Sequence, residues 1–329
     1  MNNTRGTATA VAHSNIALVK YWGKRNPELN LPATGSISLT LKELFTRTTV
    51  TFNSSFSNDI LYINDQLADN IKTQRVSRFL DYIRKLAQSS QSAEIRSTNS
   101  FPTGAGLASS ASGFAALTLA ATQAVGLEQT KSQHSLLARR GSGSAARSVY
   151  GGFVEMQAGT QDNGYDAYAV QLESPDYWDL RLIIAITSTD EKKIGSTIGM
   201  QQTARTSPYY AGWVSSTRHD LTEMRAAIKQ KDFQRLGEIT EHSCLKMHSL
   251  AMSARPPVLY WNNTTLRLLE EVCQLRKNNI QAYFTIDAGP QVKIVCLPGD
   301  VAAIREHISQ ISNVNEIIQT ELGPDAFTE

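Results

Sequence analysis

Blocks of one charge are missing from this chain. No run of five like charges occurs in its 329 residues, and 32 Lys and Arg against 30 Asp and Glu leave a net charge of +2. A chain that grips nucleic acid concentrates a basic excess, so that class is excluded. Cysteine is scarce, with only Cys244, Cys273 and Cys296. They form no C-x-x-C pair and an odd number cannot all pair internally, so a reduced, cytoplasmic compartment is expected. The N-terminal MNNTRGTATAVAHSN lacks the apolar core of a signal peptide. His13, His134, His219, His242, His248 and His307 show no H-x-x-x-H or H-E-x-x-H spacing, which argues against a protein-held metal and leaves them as surface or packing residues. Internal repeats, low-complexity linkers and coiled-coil heptads are absent too.

Charge is also missing from Ser97 to Leu127. Only Gly113–Leu127 of that stretch is mostly apolar, short of the ~20 residues a membrane-spanning helix needs. The expectation is therefore a buried helix with a Ser- and Gly-rich entrance, and no membrane partner.

What is present is a hydrophobic fraction of 41% and length for about two domains. Period-two alternation predicts a strand at Arg47–Asn53, with Ile60–Ile63 as a hairpin partner. Val76, Phe79, Leu80, Ile83 and Leu86 predict a helix over roughly 71–88. Helices follow at Gly113–Val125 and near Ser132–Arg140, then strands at Phe153–Gln157, Ala167–Leu172 and Leu180–Thr187. The second half predicts helices at Trp213–Leu236, Gly237–Ala254 and Thr264–Asn278. Strands at Ala282–Ile286 and Val292–Leu297 flank the Asp287-Ala-Gly-Pro turn, and a late helix carries Val301, Ile304, Ile308 and Ile311. Two tightly joined α+β domains result, 1–179 and 180–329.

The segment Pro102–Gly113 sits directly before the buried helix. Gly104 and Gly106 allow the backbone to approach a ligand closely. The helix behind them offers unpaired N–H groups and its positive dipole end, and Ser109, Ser110 and Ser112 can add hydroxyls, as a polyphosphate site requires. The plain alternative is a glycine-serine turn capping a core helix. No G-x-x-x-x-G-K-[ST] is present, and Gly141-x-Gly143-x-x-Ala146 follows a helix end rather than a strand, so Walker and Rossmann readings fail.

Other residues carry chemistry. Asn15, Tyr21 and Lys24 supply an amide, a phenol and an ammonium, the last suited to phosphate oxygens or simply solvated. Arg147, in a glycine-serine stretch, is a bidentate partner for a small carboxylate or one of three surface arginines with Arg139 and Arg140. Ser142, Gly143 and Ser144 present hydroxyls and N–H groups or form a turn. Asp287, at the mouth of a core strand, reads as a general base or as an Asx turn.

The octapeptide Gly104-Ala-Gly-Leu-Ala-Ser-Ser-Ala111 resembles the phosphate loop of the GHMP kinase superfamily. Ala12-His-Ser-Asn-Ile-Ala-Leu-Val-Lys-Tyr-Trp-Gly-Lys-Arg25, Arg140-Gly-Ser-Gly-Ser-Ala-Ala-Arg-Ser-Val-Tyr-Gly-Gly-Phe153, Lys193-Ile-Gly-Ser-Thr-Ile-Gly-Met200 and Asp287-Ala-Gly-Pro-Gln-Val-Lys293 resemble one branch of it, the mevalonate diphosphate decarboxylases. The resemblance spans nearly the whole chain. It implies the two-domain GHMP kinase fold, an N-terminal ribosomal-protein-S5-like α/β domain and a C-terminal α+β sandwich, with the active site in the cleft between them. It also implies a homodimer that decarboxylates mevalonate 5-diphosphate to isopentenyl diphosphate with ATP and Mg²⁺, through phosphorylation of the tertiary hydroxyl.

By that resemblance Asp287, Arg147 and Lys24 are catalytic. Asn15, Tyr21, Lys24, Ser142, Gly143, Ser144, Arg147 and Ser196 bind substrate. Arg75, Gly104, Gly106, Leu107, Ala108, Ser109 and Ser110 contact ATP. The chain departs from the family in two places: Pro32 is followed by Ala-Thr-Gly-Ser36 rather than Asn-Ser-Ser, and the loop reads Thr-Gly-Ala-Gly rather than Thr-Ala-Ala-Gly. Three alternatives stand beside this reading: a phosphomevalonate decarboxylase, a mevalonate 3-kinase, and a non-catalytic nucleotide-binding regulator.

Overall fold

The structure, a computed structural model, describes residues 6–101, 107–190 and 192–329. Gly104 and Gly106 lie outside the described residues. In the first half, β1 (Thr7–Val19), β2 (Lys24–Asn26), β3 (Leu31–Pro32), β4 (Ser36–Asn53), β5 (Ile60–Ile63), β6 (Gln66–Leu67), α1 (Asn70–Ala87), β7 (Ser92–Asn99), α2 (Ser109–Ala124), α3 (Lys131–Gly141), β8 (Phe153–Met156) and β9 (Ala169–Glu173) follow one another. The second half runs β10 (Arg181–Ile186), α4 (Ser196–Thr206), α5 (Tyr210–Gln230), α6 (Phe233–Met252), α7 (Asn263–Lys277), β11 (Ala282–Thr285), β12 (Val292–Cys296), α8 (Val301–Ser309), β13 (Glu316–Glu321) and β14 (Phe327–Thr328).

The first sheet is organised by β4, which pairs antiparallel with β1 along one edge and with β8 and then β7 along the other. A register shift interrupts β1 between His13 and Asn15. Side chains alternate faces along a strand, so such a bulge exchanges the faces of everything after it. Ala10 and Ala12 accordingly pack with Phe79, Leu80 and Ala115 of the helical layer. Ile16 and Leu18, of the same parity, pack instead with Leu182, Leu236 and Tyr283 of the second half. That exchange also turns Asn15 toward the 3-10 turn Gly143–Val149.

The second sheet has the order β11-β12-β10-β13, all antiparallel. Both of its faces are covered, which is why β10 reads as a near-continuous apolar run. Leu182, Ile184 and Ile186 face the first half, and Ile183 and Ala185 face α7 and α8. Helices α5 and α6 lie between the sheets and share one core with β1 and β4.

Most predicted elements form, with three differences. Ile60–Ile63 (β5) makes no hairpin with the Arg47–Asn53 stretch of β4, because β7 takes the place beside β4; β5 pairs parallel with β7 and antiparallel with β6. The α5–α6 break falls at Lys231, in the left-handed region (φ 54°), and Asp232, whose side chain caps α6. Gly237 is therefore no helix end: it lies inside α6, where a Cβ would stand 2.1 Å from the Tyr283 ring. Strand β1 carries Thr, His, Ser and Asn, and helix α4 carries Ser, Thr, Gly and Gln, where a simple periodic signal needs apolar residues, so neither element is legible from periodicity.

Candidate active site

Where the two sheets face each other, β11 ends and Asp287 follows. Lys20, just past β1, places Nζ 2.6 Å from Asp287 Oδ1, and Lys293 of β12 places its own 3.7 Å from Oδ2. Lys20 and Lys293 are fully buried, while about a quarter of the Asp287 side chain is exposed (23%). Burial alone would raise the Asp287 pKa, but Lys20, Lys293 and then Arg147 outweigh it and hold the carboxyl at about 2. Burial lowers Lys293 to about 8, against the pull of Asp287. The Asx-turn reading is incomplete: this carboxylate is the centre of a charge cluster.

Arg147 is buried, not on a solvated surface. Its Nε and Nη2 donate to Asn15 Oδ1 at 3.2 and 3.0 Å, its Nε also to Ser38 Oγ at 2.9 Å, and its Nη1 to Ser36 Oγ. Asn15 is fixed in turn by donating Nδ2 to Ser144 O (3.0 Å) and Ser148 Oγ (2.7 Å). The departure before Ser36 has a packing reason at Gly35, where a Cβ would meet Leu221 at 2.9 Å and the Met156 carbonyl at 3.0 Å.

A third group stands at Ala288, the residue after Asp287. Lys192 Nζ donates to Ser196 Oγ at 3.1 Å and to the Ala288 carbonyl at 3.3 Å. Burial lowers the Lys192 pKa, while the field of Asp287 raises it and that of Arg75 lowers it further. Arg75 donates to Gly141 O at 3.0 Å and lies over the Phe114 ring, tying α1 to the ends of α2 and α3.

Lys24 does not join Asp287. It sits on the β2–β3 hairpin and donates to Asn30 Oδ1 at 2.6 Å, while Asn30 donates to the Arg140 carbonyl. Burial and then Arg75 lower its pKa to about 8. Among the described residues the buried Tyr21 hydroxyl has no hydrogen-bond partner, and it rests against Gly143, where a Cβ would stand 2.2 Å away. That close approach explains glycine at this position.

Helix α2 begins after Ala108, which is left-handed (φ 59°) and provides no side-chain cap. The Ala111 N–H is taken by the Ala108 carbonyl at 2.7 Å, whereas the N–H groups of Ser109, half-buried, and Ser110, exposed, have no partner among the described residues. Ser142 Oγ lies 3.4 Å from Ser110 Oγ and 3.3 Å from Ser144 Oγ. Leu107 is buried and its carbonyl accepts from Ser14 Oγ at 2.7 Å. Among the described residues no group of three His, Cys, Asp or Glu is placed to hold a metal ion.

Sequence reading missed Lys20, Lys293, Lys192, Ser36 and Ser38. A lysine that ends the apolar run Ile16-Ala-Leu-Val19 is itself a signal, because a buried ammonium requires a counter-charge. His248 reads from the sequence as a surface or packing residue. It is buried with Nε2 3.2 Å from the Ile286 carbonyl.

Two family descriptions divide the chain between them. "Diphosphomevalonate decarboxylase-like N-terminal domain" matches residues 12–169, and "Mevalonate 5-diphosphate decarboxylase C-terminal domain" matches residues 182–325. The chain belongs to the mevalonate diphosphate decarboxylase family. The diphosphomevalonate decarboxylase of Candida albicans is 37% identical over 350 residues, covering 97% of this chain and 96% of the relative. The mevalonate diphosphate decarboxylase of Staphylococcus aureus superposes with a TM-score of 0.93 at 39% identity, covering 98% of both chains. A structure described as MDDEF in complex with MVAPP, AMPPCP and magnesium matches with a TM-score of 0.93 at 40% identity, again over 98% of both. Members of this family share the two-domain GHMP kinase fold seen here.

Proposed function

We propose that this protein decarboxylates mevalonate 5-diphosphate to isopentenyl diphosphate, converting ATP to ADP and phosphate and releasing CO₂. The observation that carries the reading is the Lys20–Asp287–Lys293 cluster beside the buried Arg147 fork. A carboxylate β to a hydroxyl does not leave as CO₂ readily, because hydroxide is a poor leaving group. Phosphorylation of the tertiary hydroxyl repairs that, and loss of the phosphate then accompanies loss of CO₂.

Asp287, held at about 2, is ionised at neutral pH and a weak proton acceptor. It orients the tertiary hydroxyl by accepting its hydrogen bond and takes the proton late, as the phosphoryl group transfers; a loose phosphoryl-transfer transition state demands little more of it. Lys20 and Lys293 keep it ionised and meet the growing charge. Arg147, itself fixed by Asn15, Ser36 and Ser38, holds the substrate carboxylate. Tyr21, Lys24, Ser142, Gly143, Ser144 and Ser196 bind the 5-diphosphate, with Lys192 added to them.

The open N-terminus of α2 with Leu107, Ala108, Ser109 and Ser110 receives the ATP phosphates, with Arg75 at the flank. The donor set fits a Mg²⁺ carried mainly by the nucleotide, since hydroxyls rather than carboxylates stand there; Ser109 and Ser110 would be its protein ligands. Bound Mg²⁺ supplies charge neutralisation during transfer. We take the two domains to be 1–179 and 180–329. The homodimer rests on the family resemblance, and a cytoplasmic setting on three cysteines that remain unpaired.

Product analysis with ATP and either mono- or diphosphorylated mevalonate tests the reading. Isopentenyl diphosphate and CO₂ from the diphosphate, at a kcat/KM at least about 10²-fold above that for the monophosphate, is the expected result, since losing two charge-assisted hydrogen bonds costs that much. Preference for the monophosphate, phosphorylation without CO₂, or no turnover would each replace it with one of the alternatives.

A further inference from the structure

Strand β11 is the edge of its sheet, and an edge leaves every second N–H and C=O without a strand partner. Here those groups are taken by helices. Arg276 Nη1 donates to the Ala282 carbonyl at 2.7 Å, and the Phe284 N–H donates to Glu241 Oε1 at 3.0 Å. At Ile286, the residue before Asp287, both backbone groups are held from α6. The N–H donates to Cys244 Sγ at 3.2 Å, and the carbonyl lies 3.2 Å from His248 Nε2. A carbonyl only accepts, so Nε2 carries the proton. Burial holds this imidazole down at about 3, which keeps it neutral. Its ring is wedged beside Trp261, with centroids 4.8 Å apart.

The same stretch of α6 reaches the other partner of the ion pair. Ser243 Oγ accepts the backbone N–H of Lys20 at 2.9 Å. Ser243, Cys244 and His248 are all buried, at 0, 0 and 2% exposure. Asp287 and Lys20 come from opposite halves of the chain and each follows the end of a strand, where backbone is ordinarily least constrained. One rigid helix grips the peptide of Lys20 and the peptide immediately before Asp287. Sites carried on a rigid element hold their geometry better than sites carried on loops.

We propose that Ser243, Cys244 and His248 are positioning residues that set the separation between Lys20 Nζ and the Asp287 carboxylate. They act through the two backbone segments, and the inference rests on the reading of Asp287 as a catalytic residue.

The test uses the full chain in steady-state assays with ATP and mevalonate 5-diphosphate, comparing Ser243→Ala, His248→Phe and His248→Gln. Displacing a reacting group by about 1 Å can cost about 10²-fold in rate. Ser243→Ala and His248→Phe are therefore expected to lower kcat by about tenfold to about 10²-fold, with the KM for ATP changed less than about twofold. His248→Gln keeps an N–H donor and is expected to recover most of the loss. Ser243→Ala removes a single oxygen and carries the test alone should the Phe variant fold poorly. Wild-type kcat in Ser243→Ala, or a Gln variant as impaired as the Phe variant, would overturn the proposal. Asp287→Asn runs in the same assay. If it retains kcat, the catalytic reading of Asp287 has failed; if it is inactive while Ser243→Ala is normal, only the positioning role has.

Discussion

Ser110 Oγ and Ser142 Oγ stand 3.4 Å apart, so the first turn of α2 meets the end of α3 at a pair of hydroxyls. Ser110 belongs to the nucleotide side of the proposed reaction and Ser142 to the substrate side. The proposed nucleotide and substrate sites therefore share a border, so that the two bound molecules need no further bimolecular encounter before phosphoryl transfer to the tertiary hydroxyl.

Asp287→Asn keeps the shape of the side chain and removes its charge. The expected outcome is a fall in kcat of about 10²-fold or more, as for loss of a general base, with ATP affinity unchanged. Near wild-type turnover would return Asp287 to the role of a turn residue.

Arg147→Lys keeps the charge and loses the planar fork. One ammonium cannot serve Asn15, Ser36 and Ser38 together and still reach a carboxylate. Losing two charge-assisted bonds of roughly 1.5 kcal/mol each predicts about a 10²-fold drop in kcat/KM for the hydroxy acid. Nucleotide affinity stays constant, and the melting temperature falls because buried acceptors lose their donor. Normal kinetics in the lysine variant would exclude a carboxylate clamp.

Lys24, lowered to about 8, begins to lose its proton within the assay range. The profile of kcat/KM reports ionisations of the free enzyme. It should decline for the phosphorylated hydroxy acid as pH rises through about 8, and Lys24→Arg should abolish that decline. Lys293 titrates in the same range, so a decline that survives Lys24→Arg would move the assignment to Lys293.

Acid should destabilise the fold in two stages. His248 resists protonation until about pH 3 when folded, whereas the unfolded side chain binds a proton near 6.5. The unfolded state thus holds more protons between these values, and stability falls as pH drops from 6.5 toward 3. At 1.36 kcal/mol per unit the full effect is about 5 kcal/mol. Asp287, depressed from 3.8 to about 2, adds stability above pH 3.8 that is lost as pH falls through 2. Urea titrations at pH 7.5, 6, 5 and 4 should show the first stage, and His248→Gln should flatten it. Equal stability in the wild type at pH 7.5 and 5 would contradict it.

The elements with a clean period were legible in the sequence. The uncharged stretch before Leu127 gave α2, and the apolar runs around Asp287 gave β11 and β12. Asp287 and Arg147 were legible as residue types in unusual settings. The bulge that turns β1 was not legible, because its consequence appears only as a change of face between Ala12 and Ile16. Lys20 and Lys293 sat inside the quoted family segments without a role, since their meaning depends on a carboxylate distant in sequence for one and six residues away for the other. The α6 residues are harder still: serine, cysteine and histidine on a helix look like packing until the backbone they hold is seen.

The pairing of β14 with β1, Ala10 opposite Thr328 and Val11 opposite Phe327, joins opposite ends of the described chain. It has a consequence for synthesis. Strand β1 is synthesised long before β14, the neighbour for its outer edge. Throughout elongation that edge carries open N–H and C=O groups, a template for pairing with another nascent chain. Nascent copies are therefore most prone to stick together before Phe327 and Thr328 emerge, and a stop codon just ahead of them would make that transient hazard permanent.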